Sequence, residues 1–526
     1  MKFKKHFPFH PVLLSIYSVL TLIAFNLGEF DLADGWRPLL FSLVVGVILW
    51  LFLRLVIWDW EKSAIIASMS LMLFFGYGHL YNLLKKVSFG DQVIGRHRYV
   101  FPFLAVLFLI TAFWVLRRLR HTEKITNVIN WISLALMIYP VFQILSFQIT
   151  VVINEGREQG IVELDIDVDP ETVGDLNKPD VYFIVLDAYT RQDTLQTLYG
   201  FDNSEFIQDL EGLGFYVADC TQSNYPETYL SLITALNLNY DDLSWNLRKM
   251  KSRWRLTTFF EDNAVRNFFE SQGYITVAVQ SGVFWTEWTK ADIYLAVEGS
   301  SGSRLTNLSK LELVNDFESQ FIETTLVKML NDYEILFNPY WTWESGYQRK
   351  RARVLFALDQ LDDIPNIPGP KFVISHIGSP HRPFIFGPDG EEYTGPDGKI
   401  TAEEDFLTGY TNQVTFLNKR LIPILDSIIQ KSEIPPIIIM IGDHGPGFTE
   451  PEYRATILGA FYLPDGGEQD LYPSITPVNI FRVVLNYYFG ADFELLEDVH
   501  YHGLLEDDPE DYFVVPNVGP VCGEDN

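Results

Sequence analysis

Three apolar runs in the C-terminal part of this 526-residue chain end on residues that can hold a metal ion or move a proton. VYFIVL leads into Asp187, KFVIS into His376 with His381 five residues on, and PIIIMIG into Asp443-His444-Gly445. Two carboxylates and an imidazole offer the oxygen and nitrogen donors that suit Zn²⁺ or Mn²⁺. Three protein ligands leave a position for a nucleophile or a substrate oxygen. The set lacks cysteine, which argues against a structural zinc site. One polar residue after a strand is ordinary loop chemistry; three strands ending in Asp, His and Asp-His point to a shared site.

A fourth candidate is Thr228, at the start of the helical pattern Thr-Tyr-Leu-Ser-Leu. A helix N-terminus stabilises a nearby anion, which suits an alkoxide and an attached phosphate. Metal coordination lowers a hydroxyl's pKa so that it can attack. The plainer role is a helix cap, common for Ser and Thr, and Ser223, Ser231 and Thr234 are neighbouring alternatives.

The elements that must position these residues are short β-branched or aromatic runs alternating with helical stretches, the pattern of an α/β domain with a mostly parallel sheet. Strands are predicted at residues 181–187, 274–280, 371–376, 436–443 and 456–463, and helices at Asn203–Leu213, Thr228–Leu236, Arg351–Gln360, Phe406–Gln430 and Pro477–Tyr488. Ligands in open α/β sheets bind outside the carboxyl ends of the strands, where distant parts of the chain converge. The segments Tyr240–Phe260 and Asn307–Ser345 read only as helix-rich, the second as a candidate cap over the site.

Charge divides the chain. Residues 1–150 carry 14 Lys and Arg against 7 Asp and Glu, whereas residues 151–526 carry 25 against 61. So acidic a second part excludes nucleic acid as its partner, since binding phosphate backbones needs cations; it reads first as a well-hydrated surface. Five apolar stretches in the first part, Phe9–Leu27, Pro38–Trp58, Ser63–Leu84, Tyr99–Leu116 and Val128–Phe147, approach or reach the roughly 20 residues of a membrane span. No cleavage-site pattern follows the first, so it is expected to stay as a helix. Lys2, Lys4, Lys5, Arg54, Lys62, Arg117, Arg118, Arg120 and Lys124 fall on one side of five spans, the cytoplasmic side by the positive-inside rule. Lys85, Lys86, Arg96 and Arg98 then lie outside, against the trend, where anionic headgroups or a lipid-linked substrate could meet them. The expected organisation is a membrane domain at 1–150, a juxtamembrane linker at 151–178 and an extracytoplasmic domain at 179–526.

With these blocks in order, KPDVYFIVLDAY, SNYPETYLSLITALNLNY, HIGSPHRPF and IIIMIGDHGPG, residues 179–500 resemble the alkaline phosphatase/sulfatase superfamily. The likeness is greatest to its membrane branch, the lipoteichoic acid synthases and phosphoethanolamine transferases, which share the layout of five spans and an external α/β domain. The resemblance implies a divalent ion (Zn, Mn or Mg) held by Asp187, Thr228, Asp443 and His444, with Thr228 as nucleophile. It implies that His381 contacts phosphate or protonates the leaving group, with His376 and Arg382 beside the substrate. The expected activity is transfer of a phosphoester from a membrane lipid or lipid-linked substrate; hydrolysis, or a fold kept by a non-catalytic regulator, are the alternatives. The membrane families usually carry Glu where this chain has Asp187, and Ala188 and the Thr228 segment lack the formylglycine sulfatase pattern.

Other polar residues read as structural. His10 and His79 lie in or beside spans, and His500 and His502 are expected in a surface loop, with a supporting contact at the site as the alternative that their i, i+2 spacing offers. Arg382 and Arg454 are candidate phosphate clamps or salt-bridge partners, and Trp285, Trp288, Trp341 and Trp343 fit a core or a lipid-facing rim. Cys220 and Cys522 are too few for a disulfide framework, and their pairing stays open.

Overall fold

The computed structural model describes residues 7–27, 32–85, 87–89, 92–93, 95–155, 178–240, 256–297, 316–332, 343–393, 402–447, 449–503, 512–518 and 522. Most of the expected linker and most of Tyr240–Phe260 lie outside these residues. The chain divides into two compact units: residues 1–157 with 312–345, and residues 158–311 with 346–526.

The first unit is built from the apolar helices α1 (His10–Phe25), α2 (Trp36–Ile57), α3 (Trp60–Leu84), α4 (His97–Arg117) and α5 (Thr122–Glu155). The last four are long and apolar enough to cross a membrane. α1, at 16 residues, is the shorter apolar helix and stands where the first span was expected. His10 is held across helices: its backbone N–H donates to Asn130 Oδ1 at 3.0 Å, and its Nδ1 lies 2.6 Å from Ser68 Oγ. A two-strand hairpin, β1 (Ser88–Phe89) and β2 (Gln92–Val93), lies between α3 and α4. The helices Asp316–Thr324 and Val327–Asp332, from the stretch read as a candidate cap, pack within this unit.

The second unit is an α/β domain around a seven-stranded sheet of order β4-β9-β8-β3-β7-β5-β6. The strands are β3 (Val181–Leu186), β4 (Tyr216–Val217), β5 (Ile275–Val279), β6 (Ile293–Leu295), β7 (Lys371–Ile377), β8 (Ile437–Gly442) and β9 (Gly459–Tyr462). Pairing runs parallel from β8 through β3, β7 and β5 to β6, while β9 is antiparallel to both β8 and β4. β3, β7 and β8 are buried along their whole length, because helices cover both sheet faces. One core contains Phe183, Phe372, Ile439 and Phe481; the opposite one contains Tyr182, Val373, Leu417 and Ile438. The alternation of each strand's residues between two cores is the period-two geometry of a sheet.

A second hairpin, β10 (His500–Gly503) with β11 (Tyr512–Val515), follows the helix Pro477–Phe489. Cys220 and Cys522 form a disulfide, which joins the C-terminal end to the chain just ahead of Thr228.

Candidate active site

Register brings the three sequence blocks together. Leu186 of β3 pairs with Ile377 of β7 on one side and Gly442 of β8 on the other. Asp187 and Asp443 therefore leave the sheet side by side at the carboxyl ends of adjacent central strands. His376 sits inside β7 rather than after it, paired with Val185, and Ile377 completes the strand.

The turn after β3 is tight. Ala188 takes a left-handed backbone conformation (φ 66°), and its N–H donates to Asp443 Oδ1 at 2.9 Å, as does the His444 N–H at 3.0 Å. His381 N–H donates to the Asp187 carbonyl at 2.9 Å, which draws the loop after β7 against the same turn. Gly442 answers a steric demand: a Cβ there would lie 2.1 Å from the Tyr189 carbonyl oxygen.

Donor atoms then converge. His444 Nε2 lies 3.6 Å from Asp187 Oδ1 and 3.6 Å from Asp443 Oδ2, and His376 Nε2 lies 3.9 Å from Asp187 Oδ2. Two sets have ligand-capable atoms within 4.8 Å of one another: Asp187 with His381 and His444, and Asp187 with His376 and Asp443. Asp187 Oδ1, Asp443 Oδ2 and His376 Nε2 are buried with no hydrogen-bond partner. Leaving carboxylate oxygens buried and unpaired is costly, so this cluster fits a cation and little else.

The imidazoles are oriented for that purpose. His444 Nδ1–H donates to the Gly445 carbonyl at 2.8 Å and His381 Nδ1–H to the Arg382 carbonyl at 2.6 Å, so each presents Nε2 as a lone pair. Thr286 Oγ1 lies 2.9 Å from His376 Nδ1. Burial works against ionisation of Asp187, but the imidazoles of His381, His376 and His444 outweigh it and hold the carboxyl down at about 2. Burial pushes His444 down to about 4, so this imidazole is neutral near pH 7 and able to ligate.

Thr228 opens the helix Thr228–Leu236, with Glu227 as its N-cap, and no side chain caps that end. Arg454 ties this end of the helix to the cluster: Nη1 donates to the Gly445 carbonyl at 2.8 Å and Nη2 to the Pro226 carbonyl at 2.9 Å. Burial lowers the Arg454 pKa, and Asp443, Asp187 and Glu227 oppose that shift. Ser231 and Thr234, the alternatives to Thr228, are fully buried, and the Thr234 hydroxyl donates to the Leu230 carbonyl at 2.6 Å. Ser223 is also buried, its hydroxyl donating to the Ala455 carbonyl at 3.3 Å. Arg382 is exposed.

One residue escaped the sequence reading. Lys350, on the helix Trp343–Asp363, donates to the His381 carbonyl at 2.5 Å and the Pro383 carbonyl at 3.4 Å. Burial pushes its amine down to about 8, against the attraction of Asp187. It stands in the basic run Gln-Arg-Lys-Arg-Ala-Arg, where nothing local sets one cation apart. His500 was read, and its expected surface loop is overturned. It is fully buried in β10, where Nδ1–H donates to the Ser223 carbonyl at 2.5 Å and Nε2 has no partner. The short strand HYHG has no apolar alternation to announce it.

No protein-family profile matches this chain, and no curated protein does. Among solved structures, the chain is similar to the C-terminal periplasmic domain of EcEptC from Escherichia coli, at 14% identity and a TM-score of 0.42 over 67% of this chain and 96% of that one. It is similar to the integral membrane lipooligosaccharide phosphoethanolamine transferase EptA from Neisseria meningitidis, at 13% identity and 0.37 over 91% and 95%. It is also similar to the lipoteichoic acid synthase LtaP from Listeria monocytogenes, at 12% identity and 0.38 over 68% and 86%.

Proposed function

We propose that this protein is a divalent-metal-dependent phosphoester transferase acting on lipid-linked head groups at the outer membrane face, with Thr228 as nucleophile. The observation that carries the reading is the pair of buried, unpartnered carboxylate oxygens, Asp187 Oδ1 and Asp443 Oδ2, facing one imidazole nitrogen of His444. Asp187, Asp443 and His444, with His381 or His376, are the residues that would hold the ion. When bound, it would supply Lewis-acid stabilisation of the charge that builds on a phosphoryl group.

The chain's own residues divide the remaining work. The uncapped N-terminus of the Thr228 helix offers backbone N–H groups and a favourable dipole to a phosphate. The Thr228 hydroxyl gives its proton to solvent as its oxygen attacks phosphorus, the bond to the leaving oxygen breaks, and phosphothreonine forms. Where His376 completes the ligand set, His381, half-exposed with Nδ1–H on the Arg382 carbonyl, takes up a proton from solvent at Nε2 and passes it to the departing oxygen. An acceptor alcohol then takes the phosphoryl group and frees Thr228. Water as acceptor makes the same machinery a hydrolase, and no residue of the cluster distinguishes the two outcomes. The four apolar spans and the arginine and lysine asymmetry of their loops support an extracytoplasmic position for the catalytic unit.

The test is incubation of the purified full-length protein with a phospholipid labelled in its head group, followed by identification of the lipid and water-soluble products. A labelled lipid product supports transfer, and a labelled water-soluble head group supports hydrolysis. Thr228→Ala is expected to abolish turnover while the protein still inserts and folds. Undiminished turnover by that variant would remove Thr228 from the mechanism.

A further inference from the structure

The helices Asp316–Thr324 and Val327–Asp332 interrupt the sequence of the α/β unit, yet they pack into the membrane unit. Phe317 and Phe321, one helical turn apart, are both buried in a cluster with Val19 and Leu22 of α1 and Leu71 and Phe75 of α3. The Phe321 and Phe75 rings lie 5.6 Å apart. Around this apolar contact, polar groups fix the register. Arg37, at the start of α2, pairs with Glu318 at 2.9 Å; Gln320 donates to Asn26, at the end of α1, at 3.2 Å. The Leu326 N–H donates to the Phe74 carbonyl of α3 at 2.7 Å.

Gly78 shows how close the approach is. A glycine inside a helix costs about 1 kcal/mol relative to alanine, and α3 carries one where residues 323 and 324 cross it. A Cβ on Gly78 would lie 2.0 Å from the Glu323 carbonyl oxygen and 2.7 Å from the Thr324 carbonyl carbon. Backbone, unlike a flexible side chain, cannot step aside. The seat on α3 is therefore shaped for this segment.

We propose that residues 316–332 are an internal second anchor, by which the α/β unit stays on the membrane bundle even when the connector at 156–177 is cut. The chain passes from one unit to the other at three places, near 157, 311 and 345, and only the first is the connector. This inference concerns attachment and stands whether or not the catalytic reading holds.

The experiment uses the full chain with a single protease site inserted within residues 160–170, in sealed membranes free of detergent. After cleavage and a high-salt wash, the fragment bearing residues 171–526 is expected to sediment with the membranes, at no less than about nine-tenths of the uncut level. Phe317→Glu with Phe321→Glu in the same background should move most of it to the supernatant, with the Cys220–Cys522 bond retained as evidence of folding. Gly78→Leu leaves the anchor's own sequence intact and blocks only its seat, so it should also release the fragment. Release of the cleaved wild-type fragment by salt overturns the proposal. Full retention in Gly78→Leu overturns the seat on α3 and leaves direct adhesion to lipid as the cause.

Discussion

Asp443→Asn separates two roles of one side chain. Oδ1 accepts the N–H groups of Ala188 and His444, and an asparagine carbonyl oxygen can accept both. Oδ2 is buried without a partner and shares His444 Nε2, at 3.6 Å, with Asp187 Oδ1. In metal-free protein two carboxylates thus crowd one imidazole, with ligand atoms of Asp187, His376 and Asp443 all within 4.8 Å of one another. Two unit charges at that separation repel by ~3 kcal/mol at an effective dielectric of ~20. Arg454 and Lys350 offset part of this, so the substitution should stabilise the metal-free protein by on the order of 1–3 kcal/mol. With zinc the order reverses. An ion at 100 times its dissociation constant adds about 2.7 kcal/mol to the wild type, most of which the variant forgoes.

Thermal unfolding of the full-length protein in detergent, followed by near-ultraviolet circular dichroism after chelation and again with added Zn²⁺, reads both halves. The variant's transition should lie a few degrees above wild type when chelated and below it with zinc, at about 2 °C per kcal/mol for a unit this large. A chelated variant less stable than chelated wild type refutes the argument from like charges. A zinc-induced shift equal to that of wild type refutes the donor set.

Thr286→Val removes the partner of His376 Nδ1; loss of such an outer contact should weaken metal binding about 10–100-fold if His376 ligates, and an unchanged zinc titration would favour the set with His381 and His444. Arg454→Met cuts both links between Pro226 and Gly445, so kcat should fall about 100-fold or more through misplacement of Thr228, with zinc affinity changed far less. Reducing the Cys220–Cys522 bond, which spans 302 residues, should lower stability by about 2–4 kcal/mol, visible as an earlier denaturant midpoint for the α/β unit. Burial holds His500 down at about 3 against 6.5; above pH 6.5 both folded and unfolded chains carry it neutral, and as pH falls from there the unfolded chain takes up a proton that the folded one refuses. Stability should therefore drop with pH between about 6.5 and 3, by up to about 1.4 kcal/mol per pH unit, and His500→Gln should remove that component of the slope in denaturation curves taken at pH 6.5, 5.5 and 4.5.

What could be read in the sequence was set by burial on two faces. β3, β7 and β8 are apolar along their length because helices cover both sides of the sheet, and these are the strands that carry Asp187, His376 and Asp443. β4 is two residues long, β6 is a half-buried strand of three and β10 reads HYHG, so none offered a long apolar run. The reversed direction of β9 depends on pairing with β8 and β4, which composition does not encode. The segment DFESQFIET does show Phe317 and Phe321 at helical spacing. Its partner was not legible, because an apolar stripe specifies burial and not the surface that buries it. His376 was visible as a residue, but its place inside β7 follows from register with Val185.

Register also suits the aspartate at the end of β3. Here the central strand ends level with β8, so Asp187 begins beside Asp443, and the left-handed turn at Ala188 holds the two loops together through the 2.9 Å bond to Asp443 Oδ1. Gly442 allows the chain after β3 to cross β8 closely enough for this. The shorter carboxylate already stands 3.6 Å from His444 Nε2 and 3.9 Å from His376 Nε2. An added methylene would have to fold back inside a space that is closed to solvent, at a cost in rotamer strain and packing. The aspartate is thus matched to the tight exit from β3.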